Sequence, residues 1–244
     1  MRLIATYPYL VGSLAFLALF GILYALNPVH RRVALLSAAL STPYSLLAVV
    51  FVPAYWEPAQ VFRLMVGPED LLFSFATGGA AWIVVAGSYY SVPDRLWGGT
   101  GLLRFARATI GFFLLWLLLH LAGLPIMWAV LAAGVGLWSF LVAKDSGVLV
   151  TSIKGGAVFS IAYTLVAAAV IYANPSSAQS WADDGLVGLS VLGLPLEEIL
   201  WAFEFGAIWP LLIAYSLDMK PKRITDCGLS RPGEATFGNT ASPD

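Results

Sequence analysis

Gly193-Leu194-Pro195-Leu196-Glu197-Glu198-Ile199-Leu200-Trp201-Ala202-Phe203-Glu204-Phe205-Gly206 is the stretch from which the chain can be read. A proline that can seat a first helical turn is followed by two adjacent carboxylates and then by an apolar, aromatic run. Glu204 lies seven residues after Glu197, about two helical turns, so the two acids share a helix face. The pattern occurs once before, as Val66-Gly67-Pro68-Glu69-Asp70-Leu71-Leu72-Phe73-Ser74-Phe75-Ala76-Thr77-Gly78. The offset is 128 residues and carries Glu69 onto Glu197, Asp70 onto Glu198, Phe75 onto Phe203 and Gly78 onto Gly206. The chain is therefore read as built around a duplicated acidic helix start.

The surroundings of the two copies are oily. Of 244 residues 59% are hydrophobic and 11% charged, against about 25% charged in an ordinary soluble domain, and the mean hydropathy is +0.83. Leu3–Val29, Val33–Trp56, Leu71–Pro93 and Ala108–Ala143 contain no Asp, Glu, Lys or Arg. A membrane-crossing helix needs roughly 20 mostly apolar residues. The runs are continuously apolar rather than alternating, which argues against a β-barrel. The expected fold class is all-α, a polytopic membrane protein. Seven spans are expected, at about Tyr9–Leu26, Val33–Val52 with a kink at Pro43, Glu69–Ser88, Leu103–Leu121, Ile126–Val142, Leu149–Ala173 and Leu196–Leu217. The first is read as a retained span rather than a cleaved signal, because its apolar run is long and Arg31 and Arg32 follow it.

Basic residues are divided unequally between the two sides of this arrangement. Arg2 and Arg63 fall on one side; the other eleven of the 13 Lys and Arg fall on the opposite side. Such a bias over short loops predicts an outside N-terminus and a cytoplasmic C-terminus. The spans then group as a first three-helix repeat (1–92), a connecting helix (93–123), a second three-helix repeat (124–218) in the same orientation, and a polar tail (219–244) expected to be disordered. Both acidic helix starts face the non-cytoplasmic side. Parallel repeats of this kind often place a site at their interface.

Pro195-Leu196-Glu197-Glu198, heading an aromatic helix, resembles the PxE(E/D) signature of the integral-membrane lycopene cyclase domain family. The duplication, the loop Tyr55-Trp56-Glu57-Pro58 and the length resemble the fused tandem form of the heterodimeric-type carotenoid cyclases. The resemblance covers about residues 1–218. The first copy departs from the pattern, with Pro68 directly before Glu69. The resemblance implies cyclisation of the linear ψ end groups of lycopene to β-ionone rings, an isomerisation without net redox change. It implies Glu197, Glu198, Glu69 and Asp70 as proton-transfer groups, with the second copy favoured. Glu204 joins them as a deeper carboxyl, about 10 Å from Glu197 along the axis. Trp201, Phe203, Phe205, Phe73, Phe75 and Trp82 could hold a cation on their ring faces.

Plainer readings stand beside these. Acids at a helix start favourably oppose the helix dipole wherever they occur, and aromatic residues in spans commonly pack or face lipid. No GxGxxG stands at a strand-to-helix turn and no HExxH or Cys/His cluster is present, so no cofactor and no metal are expected. Cys227, the single cysteine, excludes an intrachain disulfide. The expected partners are lycopene, the lipid bilayer and other carotenoid enzymes, with no nucleic acid. The alternatives are a small membrane transporter or proton channel, a retinal-binding seven-helix protein, disfavoured because the last span has no lysine, and a non-catalytic scaffold.

Overall fold

The computed structural model describes residues 6–62, 64–93, 96, 98–181 and 185–221. Most of the tail expected over 219–244 lies outside these residues, as do Asp94, Asp183, Asp184, Arg2, Arg63, Arg95, Lys222, Arg223 and Arg231.

The described chain is predominantly helical. Its α-helices are α1 (Pro8–Leu26), α2 (Arg31–Ser41), α3 (Ala48–Phe51), α4 (Pro68–Tyr89), α5 (Gly99–Leu121), α6 (Ile126–Lys144), α7 (Leu149–Ala173) and α8 (Leu196–Ser216). A 3-10 segment, Thr42–Leu47, joins α2 to α3 at Pro43, whose missing N–H and ring interrupt α-helical bonding. Among the described residues, six stretches are long and apolar enough to cross a membrane: Pro8–Leu26, Pro28–Phe51, Gly99–Leu121, Ile126–Lys144, Ser146–Ala173 and Leu196–Ser216.

α4 and α8, the two helices with acidic starts, pack against each other. α4 also contacts α1, α2 and α7, and α8 contacts α5, α6 and α7. The close approaches use glycine. A Cβ at Gly206 would come 2.5 Å from that of Phe159 and 3.0 Å from the carbonyl oxygen of Gly155, so α7 and α8 meet backbone to backbone. At the matching place in the first copy, Gly78 leaves room for Ser41 and accepts, through its carbonyl, a 2.7 Å bond from Ser37 Oγ. Trp209 Nε1 donates to that same Ser37 Oγ at 2.8 Å, tying α8 to α2 and α4.

The two ends of the bundle differ in chemistry. At the end of α1 distant from the acids, Arg31 donates to the carbonyls of Tyr24 and Ala25. Arg104, in the first turns of α5, pairs with Asp218 beyond α8 at 3.0 Å. At the other end a two-strand hairpin, β1 (Ser190–Val191) and β2 (Leu194–Pro195), leads directly into α8. Leu192 and Gly193 both have positive φ (56° and 85°), as a two-residue hairpin turn requires.

Candidate functional site

The two acidic pairs fold alike at their first residue. Glu69 and Glu197 are both fully buried. Glu69 Oε1 accepts the backbone N–H of Val61 at 2.7 Å, and Glu197 Oε1 accepts that of Val187 at 2.6 Å. Each glutamate thus fastens the loop preceding its helix. The remaining oxygen of each, Oε2, has no hydrogen-bond partner.

The second residues of the pairs differ. Asp70 is buried, and its Oδ2 accepts the backbone N–H of Gly67 at 2.7 Å and Gln60 Nε2 at 3.3 Å. Gly67 immediately precedes the helix and Asp70 is its third residue, so the first bond is the back-bond of a capping box. Asp70 Oδ1 accepts Tyr9 Oη at 2.8 Å. Glu198, also third in its helix, makes no such back-bond, because the residue before α8 is Pro195 and carries no N–H. Its oxygens accept two phenols instead, Tyr55 Oη at 2.9 Å and Tyr163 Oη at 2.6 Å. Burial, and then the nearby Glu198 carboxylate, raise the Tyr55 phenol well above its ordinary 10.0, so Tyr55 stays a neutral donor.

Asp70 and Glu198 open into one cavity of about 310 Å³ in the middle of the bundle, with mostly apolar walls. Phe73 is its central ring. It is 6.1 Å from Tyr9, 6.3 Å from Tyr163 and stacked on Trp201 at 6.2 Å, so it bridges the two carboxyl groups and the two central helices. Along α8, Trp201, Phe205 and Trp209 stack at 5.4 and 5.5 Å, forming an aromatic wall with the helical spacing of four residues. Glu204 faces the cavity further along α8. Its Oε1 is buried without a partner, and its carboxyl end lies over Gly134, where a Cβ would displace it.

Of the residues singled out from the sequence, Asp70, Glu198, Glu204, Trp201, Phe73 and Phe205 line this cavity. Glu69, Glu197, Phe75, Phe203 and Trp82 are not in its wall. Phe75 packs on Phe20, Phe203 is partly exposed at 36%, and Trp82 is fully buried against Tyr90 and His30. Tyr9, Tyr55, Tyr163 and Trp209 belong to the site and were not signalled by the motif. Three of them come from α1, the loop after α3 and α7, each far in sequence from the acid it meets. Among the described residues, no three His, Cys, Asp or Glu side chains converge as a metal site would require. The site is thus a mostly apolar, aromatic cavity into which carboxyl groups project, Asp70 and Glu198 among them held by neutral donors. No protein-family model, no curated protein and no solved structure matches this chain.

Proposed function

We propose that this is a membrane-embedded carotenoid cyclase of the lycopene β-cyclase type. In this reading it has seven spans, α4 being the seventh, arranged as two parallel three-helix repeats around a connecting helix, with the acidic end on the non-cytoplasmic side. The observation that carries the reading is the pairing of Asp70 and Glu198 in one apolar, aromatic cavity, each held by tyrosine hydroxyls.

The chemistry follows from the groups present. The protonated Glu198 carboxyl gives its proton to C2 of a ψ end group: the O–H bond breaks, the C2–H bond forms, and a cation develops at C1. The C5–C6 double bond attacks C1 and closes the ring, moving the positive charge to C5. The C6 proton then leaves to a carboxylate, in this reading Asp70, and its electron pair becomes the C5–C6 double bond of the β ring. No proton or electron is consumed overall. The faces of Phe73 and Trp201 stabilise the cation through their quadrupoles, an attraction that is strongest where water is excluded. C2 and C6 belong to one ring. Glu204 lies six residues beyond Glu198, about 9 Å along the axis, too far to serve the same ring, and takes no step in this scheme. Lycopene enters from the bilayer and no cofactor takes part.

Expression in a lycopene-accumulating bacterium tests the reading. The expected result is conversion of lycopene to cyclic carotenes. Unchanged lycopene, with the protein shown to be in the membrane, overturns it. The unpartnered carboxyl of Glu204 favours a second reading, a proton path through the bundle. Proton flux in liposomes at a rate above empty vesicles would support that reading instead.

A further inference from the structure

We propose that Pro195 is a positioning residue for Glu198, acting by withholding a backbone N–H. The inference deepens the cyclisation reading and rests on it for the effect on rate, though not for the geometry.

The two copies provide an internal comparison. In both, the third residue of the helix is an acid long enough to reach back to the residue before the helix, where a capping box is ordinarily completed. In the first copy that residue is Gly67, and its N–H takes one oxygen of Asp70. In the second it is Pro195, and both bonds to Glu198 come from side chains across the cavity. The proline has moved by one position between the copies, from the first residue of α4 to the residue preceding α8.

The hairpin makes the effect specific. Val191 pairs with Leu194 at the turn, and Leu196 N donates to Leu189 O at 2.9 Å. Ser190 and Pro195 form the intervening pair, which in an antiparallel ladder exchanges no hydrogen bonds. An N–H at position 195 would therefore have no strand partner, and the carboxyl group three residues later would be its natural acceptor. Proline removes that competitor and leaves both oxygens of Glu198 to Tyr55 and Tyr163. The consequence is a division of labour between the copies. Asp70 is tied to its own helix start and to Tyr9, whereas Glu198 is held by side chains from other elements, the Tyr55 and Tyr163 phenols, with the Trp181 indole beside them.

The test compares three full-length proteins in lipid nanodiscs: the wild type, Pro195→Ala, and a protein with the α-hydroxy acid analogue of alanine at 195, whose ester linkage has no N–H. The infrared band of the Glu198 carboxyl, assigned by its loss in Glu198→Gln, is read in each. Pro195→Ala is expected to shift the band and to lower kcat about tenfold with KM unchanged, and the ester is expected to restore both. If the ester behaves like Pro195→Ala, or if the band does not move in Pro195→Ala, the inference is overturned. The infrared comparison holds whether or not the wild type cyclises lycopene, so failure of the cyclase reading is seen separately. Should Pro195→Ala fail to insert, an amide-to-ester exchange at Gly67 asks the same question of the first copy. The Asp70 band is expected to shift there, and an unchanged band overturns the inference.

Discussion

Glu197 and Glu198 are adjacent in sequence and serve different surroundings. Glu197 Oε1 takes the N–H of Val187 at 2.6 Å and holds a loop, while Glu198 accepts Tyr163 Oη at 2.6 Å and Tyr55 Oη at 2.9 Å on the cavity side. One step along a helix turns the side chain by about 100°, enough to separate a structural carboxyl from one facing the cavity.

Glu198→Gln is expected to abolish ring closure while the protein remains in the membrane, because the amide cannot deliver the proton. Loss of a general acid costs about 10²- to 10⁴-fold. Pigment analysis in a lycopene-accumulating host measures it. Full activity in this variant would remove Glu198 from the chemistry.

Glu197→Ala is expected to act on stability instead. It leaves the Val187 N–H without its acceptor, at a cost of about 1–3 kcal/mol. Glu197→Gln, which keeps an oxygen for Val187, should be milder. Thermal unfolding in detergent, compared with cyclisation by the surviving protein, separates the two effects. Complete loss of activity in well-folded Glu197→Gln would place Glu197 in the proton transfer.

Tyr163→Phe and Tyr55→Phe each remove one donor to Glu198. A roughly tenfold fall in kcat is expected for each, equivalent to about 1.4 kcal/mol. The double variant should fall by less than the product of the two, since both act on the same carboxyl. Strict multiplicativity, measured by initial rates of the three variants, would show that the phenols act on different groups.

Gly134→Ala should destabilise the bundle by about 1 kcal/mol, because the Glu204 carboxyl it meets ends a flexible side chain and can shift rotamer. Glu204→Ala opens the space, so the double variant Gly134→Ala/Glu204→Ala should recover most of that loss. The measurement is a double-variant cycle of thermal stability. Equal destabilisation by Gly134→Ala with and without Glu204 would show that another neighbour is responsible.

Tyr55 links stability to alkaline pH. Its folded-state pKa is raised above the ordinary 10.0, by burial first and by Glu198 second. Its contribution is therefore fully present below pH 10 and is lost progressively above it, because the unfolded chain then releases a proton that the folded chain keeps. Unfolding followed from pH 8 to 11 should show a fall above 10 that is shallower in Tyr55→Phe. An identical slope in the variant would assign the fall to other groups.

Much of the fold is legible in the sequence because membrane insertion is governed by properties of single segments. A run of about 20 apolar residues, broken by Asn27-Pro28 or Gly123-Leu124-Pro125, marks a helix whatever it packs against. Pro43 marks the 3-10 segment because its missing N–H is local. The hairpin before α8 carried a weaker signal, two short strands around Leu192-Gly193, and was not anticipated.

The sequence by itself determined the helical class, the duplicated acidic helix start and the proline that differs between the copies. Tertiary structure alone decided which member of each pair meets the cavity, and that Tyr9, Tyr55 and Tyr163 are its partners. The reason is range. Helix formation and capping depend on residues within four positions of one another, whereas Tyr55 and Glu198 are 143 residues apart and meet only when the loop after α3 is laid against the start of α8.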